Sequence, residues 1–212
     1  MANTTKLLSK SEEFPVVSNI NGAVRDNSAY EFYSEKELWK EFKRGKRTAF
    51  IFIYNRYFEK LYSYGHQFTP DSELIKDCIQ EIFIDINQTK KKLSDTDSIH
   101  YYLLKALKCK LLKAFKLQKR LLKSNLHNSF EPFQMDVSIE QKIIDRQIDE
   151  ERINKLRIAV NNLSDREREV IFYYYYESLH LDQIKKLMGF KSIKVTRNQI
   201  YKAIRELRTQ LH

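Results

Sequence analysis

Glycine and proline are scarce in this chain, 4 and 3 among 212 residues. Sandwiches, barrels and doubly wound sheets with phosphate loops need many tight turns and far more of both residues. The chain therefore reads as all-α. Cysteine is nearly missing too: Cys78 and Cys109 stand on separate helical patterns, with no CxxC and no clustered histidine. That excludes a disulfide framework or zinc site and predicts two buried or half-buried free thiols. Long apolar runs are lacking, since Ile51-Phe52-Ile53-Tyr54 is bounded by charge within a few residues, far short of the roughly 20 that cross a bilayer. No membrane insertion is expected. The first residues, Met1-Ala2-Asn3-Thr4-Thr5-Lys6, lack the apolar segment of a secretion signal, which predicts a cytoplasmic protein. His66, His100, His127, His180 and His212 are scattered, and no nucleophile, metal or phosphate-loop spacing occurs. No catalytic residue, metal or cofactor is expected.

Positive charge is what the chain has in excess: 38 basic against 28 acidic residues, a formal net charge of +10. With 42% hydrophobic and 13% aromatic residues it can also bury a core, which excludes a wholly disordered chain. Residues 1–30 lack periodicity and read as a flexible arm. Ser34 before Glu35 and Glu37 predicts a capped helix carrying Leu38, Trp39 and Phe42, ended by Gly45. A longer helix follows from Arg47 on Phe50, Ile53, Tyr54, Tyr57, Phe58, Leu61 and Tyr64, with Gly65 as its stop. Thr69-Pro70-Asp71-Ser72 starts a third, running to about Lys92. Its buried stripe is Leu74, Cys78, Ile79, Ile82, Phe83 and Ile86, and Glu73, Asp77, Gln80, Glu81 and Asp85 project outward.

After a polar loop at 93–98 comes a helix from Ile99 to about Leu122. Its charge has one sign only: Lys105, Lys108, Lys110, Lys113, Lys116, Lys119, Arg120 and Lys123. Residues 124–137 lose periodicity and read as a linker, which divides the chain into helical modules at 31–123 and 138–212. In the second, Leu163-Ser164-Asp165-Arg166-Glu167 has capping-box spacing. Leu181 to Met188 is a short helix ended by Gly189, and a last helix spans about Ile193 to Leu211.

Short helix, glycine turn and second helix are the layout of a helix-turn-helix. Anchoring by Ile200, Ile204 and Leu207 turns Lys194, Arg197, Asn198, Tyr201, Lys202 and Arg205 outward, where they suit phosphates and base edges in a major groove. An ordinary helical hairpin with a solvated basic face has the same pattern. The Lys-rich helix suits a phosphate backbone, or solvent, and Tyr101 and Tyr102 suit either stacking on unpaired bases or the core. The acidic face with Asp77 and Glu81 suits a basic protein partner rather than DNA.

Several segments together resemble the extracytoplasmic-function sigma factors of bacterial RNA polymerase. They are Leu38-Trp39-Lys40-Glu41-Phe42-Lys43-Arg44-Gly45, Asp77-Cys78-Ile79-Gln80-Glu81-Ile82-Phe83, Tyr102-Leu103-Leu104-Lys105-Ala106 and Leu163-Ser164-Asp165-Arg166-Glu167-Arg168-Glu169-Val170, in the family's order. The resemblance implies that the first module binds the clamp of the polymerase's largest subunit through Asp77, Gln80, Glu81 and Phe83. It implies opening of the minus-ten element by Leu93, Ser94, Tyr101, Tyr102, Lys105, Lys108 and Cys109, the loop capturing a flipped base. It implies that the second module reads the minus-thirty-five element, with base contacts at Arg197, Asn198, Tyr201 and Lys202. Core RNA polymerase, promoter DNA and an anti-sigma factor are the implied partners. Two departures stand out: Cys109 replaces the family's Asn, and the turn Phe190-Lys191-Ser192-Ile193-Lys194 is about one residue longer than usual. The rival expectation is a helix-turn-helix regulator without sigma activity, which has no need of the Asp77, Gln80 and Glu81 face.

Overall fold

The computed structural model describes residues 29–121, 133–135 and 150–211, and among these every regular element is helical. The expected arm up to residue 28, most of the linker and the segment 136–149 lie outside the described residues. The helices are α1 (Glu35–Lys43), α2 (Arg47–His66), α3 (Ser72–Thr89), α4 (Ile99–Leu121), α5 (Glu150–Asn162), α6 (Asp165–Ile171), α7 (Leu181–Met188) and α8 (Ile193–Leu211). A 3-10 turn, Lys90–Lys92, follows α3, and a π turn, Phe172–Tyr176, follows α6.

Local chemistry sets the starts of these helices. Ser34 and Glu37 complete a reciprocal capping box on α1, and Ser164 with Glu167 does the same on α6. Each box satisfies amides that have no partner inside the helix. Asp71 caps α3 by accepting from the Leu74 amide at 3.0 Å. Gly65, expected to end α2, does not: the helix continues to His66. A Cβ at Gly65 would lie 2.5 Å from Ile75 Cγ2, so this glycine serves the close approach of α2 and α3. The α3 stripe shifts accordingly, with Ile75 fully buried and Leu74 only half-buried.

Helices α1 to α4 pack into a bundle, with α2 against α3 and α4, and α1 laid over α2 and α4. Helices α5 to α8 form the second group, in which α8 packs on α5, α6 and α7. The cores of the two groups are continuous. Phe133, from the stretch expected to be linker, is buried between them, its ring 5.2 Å from Phe68 and 5.4 Å from Phe172. The Gln134 amide donates to the Gln67 carbonyl at 2.9 Å, which fixes the segment against the end of α2.

Candidate nucleic-acid interface

Helices α7 and α8 are joined by a short turn at 189–192, the layout expected from the sequence. His180 and Gln183 cap α7 reciprocally, and Gly189 ends it at φ +66°, a backbone conformation that favours glycine. The Arg166 guanidinium sits 5.4 Å from the Phe190 ring and braces the turn from α6. Ser192 opens α8 by accepting from the Val195 amide. Thr196, Ile200 and Ala203 are buried and orient the helix, so Lys194, Arg197, Asn198, Tyr201, Lys202 and Arg205 all lie on the exposed side. Tyr201 is 63% exposed on this side of the helix. Lys202 differs from the others. Its ammonium is 3.0 Å from Glu167 Oε1, while the second oxygen of this buried carboxylate takes the Ser164 hydroxyl and amide. The Ser164 hydrogen bond, and behind it Lys202, hold the Glu167 carboxyl below its ordinary value.

In the first group, α1 clamps the loop 93–98, a role the sequence did not reveal. Trp39 Nε1–H donates to the Ser94 carbonyl at 3.0 Å, Lys43 pairs with Asp95 at 2.5 Å, and Lys36 pairs with Asp97 at 3.0 Å. The hydrogen bond from Lys43 holds the Asp95 carboxyl below its usual range. Ser94 is exposed and Leu93 half-buried. Tyr102 packs its ring 5.2 Å from Trp39, which makes it part of the core rim, and Tyr101 is half-buried with its hydroxyl unpartnered among the described residues. Lys105 and Cys109 are exposed on α4. Cys109 was expected to be buried or half-buried, but it falls on the outward side of the stripe formed by Leu104, Leu107 and Leu111. Cys78 is buried, and that burial pushes its thiol up to about 11.

On α3, Asp77, Gln80 and Glu81 project to solvent as expected. Phe83 does not belong with them. It is completely buried, edge-on to Tyr54 at 4.8 Å, because its position continues the Ile79 and Ile82 stripe rather than the polar one. Lys110 of α4 pairs with Glu81 at 2.8 Å and with Asp85 at 2.9 Å, so part of the acidic face is neutralised within the molecule.

Lys108 is turned away from solvent. Its ammonium reaches Glu169 Oε1 at 2.5 Å and the Leu187 carbonyl at 3.1 Å, joining α4 to α6 and α7. Tyr173 donates to the same carboxylate at 2.7 Å, and its hydroxyl lies 2.5 Å from that of Tyr64. Burial drives both phenols well above their ordinary value, so they serve as neutral hydrogen-bonding groups. His100 and Glu177 add a second contact across this seam at 2.5 Å. A cleft of about 1160 Å³ opens beside it. Arg56, Lys60 and Lys186 line it along with Glu35, Glu59, Asp95, Asp97 and Glu177, so carboxylates outnumber the strongly basic groups.

No protein-family model and no curated protein matches the chain. Among solved structures its fold is similar to the sigma factor RpoE from Bartonella quintana, crystallised in complex with the anti-sigma factor NepR, at 14% identity and a TM-score of 0.51. The match covers 81% of this chain and 97% of that one. The chain thus has an all-helical, sigma-factor-like fold. Among the described residues, no helix is long and apolar enough to cross a membrane.

Proposed function

We propose that the protein is an alternative sigma factor, which binds core RNA polymerase and directs promoter recognition and opening. The observation that carries this reading is the pairing of two surfaces on one such fold. One is a helix-turn-helix whose exposed Arg197 and Asn198 have no partner among the described residues. The other is the exposed Asp77, Gln80 and Glu81 face on α3. In this reading residues 31–123 dock on the polymerase clamp and open the minus-ten element, and residues 138–212 read the minus-thirty-five element. The family expectation for a flipped base falls on the loop 93–98 with Tyr101, Lys105 and Cys109 beside it. An anti-sigma factor is proposed as a second protein partner, the kind of complex in which the Bartonella protein was crystallised. The proposed setting is the cytoplasm, with no catalytic step and no cofactor.

Run-off transcription with core polymerase, plus and minus the protein, tests the proposal. Specific transcripts that depend on the protein are expected, and charge reversal at Asp77 and Glu81 should reduce holoenzyme assembly while the chain stays folded. Unchanged co-purification of the folded double variant with polymerase would remove α3 from the docking surface. DNA binding with no polymerase association at all would favour a helix-turn-helix regulator instead.

A further inference from the structure

The two halves of the loop 93–98 are fixed by different means. In the second half the residues hold one another: Thr96 Oγ1 accepts from the Ser98 amide at 3.2 Å, and Ser98 Oγ accepts from the Tyr101 amide at 3.1 Å at the start of α4. The first half is held from α1, by Trp39 on the Ser94 carbonyl and Lys43 on Asp95. These contacts from α1 are unequal. The carboxylates that Lys43 and Lys36 engage, Asp95 and Asp97, are 68% and 84% exposed, so water and salt compete with both ion pairs. Trp39 is fully buried, its ring packed 5.1 Å from Phe42 and 5.2 Å from Tyr102. A buried indole N–H needs an acceptor, and the Ser94 carbonyl supplies it. Core packing therefore sets where Ser94 lies. The loop is also a wall: Asp95 to Ser98 line the cleft of about 1160 Å³ together with Tyr101, whose hydroxyl has no partner among the described residues.

We propose that Trp39 is a positioning residue for base discrimination: through the Ser94 carbonyl it holds the loop in one shape against which unpaired bases are sorted. The identity of the ligand, a base of the opened promoter, rests on the sigma-factor reading; the residue that sets the loop does not. A loop held still makes a wrong base leave polar groups unpaired, whereas a loose loop adjusts to any base. Trp39 touches no base in this arrangement. It acts through the backbone of Ser94, and the exposed pairs of Lys36 and Lys43 rank second to it.

The test uses the full chain, alone and mixed with core polymerase. Trp39→Phe keeps a ring in the core and removes the N–H. It is compared with the parent, with the double variant Lys36→Ala, Lys43→Ala, and with Gly65→Ala as a variant destabilised at the contact of α2 and α3, thermal melts establishing that each is folded. Hydrogen exchange read by mass spectrometry follows the amides of 93–98, and fluorescence anisotropy measures binding of labelled oligo-dA, oligo-dC and oligo-dT strands. Trp39→Phe should speed exchange in the loop and cut the affinity ratio between the best and worst strand by about fivefold, the equivalent of one hydrogen bond. Gly65→Ala should melt lower and keep the parent's ratio. Unchanged loop exchange in Trp39→Phe overturns the proposal, and so does a looser loop with an unchanged ratio. A larger effect from the double lysine variant would pass the role to the ion pairs. A parent that binds all the strands alike, or none, overturns the role and counts against base capture itself. Protein-dependent run-off transcripts whose promoter preference survives Trp39→Phe would leave the sigma-factor reading standing and remove Trp39 from it.

Discussion

Lys108 and Glu169 form an ion pair at 2.5 Å in which both side chains are less than 15% exposed, and it ties α4 of the first helical group to α6 of the second. Removing one partner of a buried pair strands the other charge away from water. Lys108→Met should therefore destabilise the protein by about 3 kcal/mol. Replacing both ends, Lys108→Met with Glu169→Leu, should recover much of that loss, since Tyr173 keeps Tyr64 as a hydrogen-bond partner. Urea unfolding of the single and double variants measures the coupling. A Lys108→Met variant as stable as the parent would mean that the seam is solvated.

Glu167 makes a pH prediction. Its folded carboxyl titrates below the ordinary value of 4.5. Its contribution is therefore fully present above that value and is lost as pH falls through the lower, folded one. Glu167→Gln should cost about 1 kcal/mol at neutral pH, the scale of a helix cap, and the deficit should shrink as unfolding is measured at progressively lower pH. A deficit independent of pH would show that the ionised form has no special partner in the fold.

Lys202 and Arg197 separate bracing from reading. Lys202 is tied to Glu167, so Lys202→Ala should lower the melting temperature and leave the salt slope of DNA binding unchanged. A slope lower by about one unit would instead mark Lys202 as a phosphate contact. Arg197→Ala or Asn198→Ala should cost roughly 1–3 kcal/mol on the cognate minus-thirty-five element and relax preference there, with little change in stability. Equal losses on cognate and scrambled duplexes would shift the reading positions toward Lys194.

Gly65→Ala is the packing test. Alanine favours a helix interior by about 1 kcal/mol over glycine, yet its Cβ would press on Ile75 Cγ2 at 2.5 Å. Overpacking of this kind costs about 1–3 kcal/mol, so net destabilisation is expected. Ile75→Ala in the same background should be less damaging than in the parent chain. A stabilised Gly65→Ala variant would show that α2 and α3 separate easily.

Several features were legible in the sequence because their physics is local. The capping boxes at Ser34 and Ser164, the glycine that ends α7, and the exposed row from Lys194 to Arg205 each depend on residues within a turn or two of helix. Scarce glycine and proline with helical periodicity likewise specified an all-α chain before any tertiary contact was known.

What only the tertiary structure decided are partnerships between residues far apart in the chain. Gly65 reads as a helix stop until Ile75 is seen against it, and Leu74 reads as part of the buried stripe until Ile75 takes that place. Lys108 is one lysine in a basic row until Glu169 takes it out of solvent. Phe133 sits in a linker-like stretch, but Phe68 and Phe172 bury it. Helical periodicity fixes which side of a helix is apolar, yet it carries no information about which helix lies opposite. Charge pairing and close packing depend on that opposite helix, so the loop clamp and the seam appear only once the chain is folded.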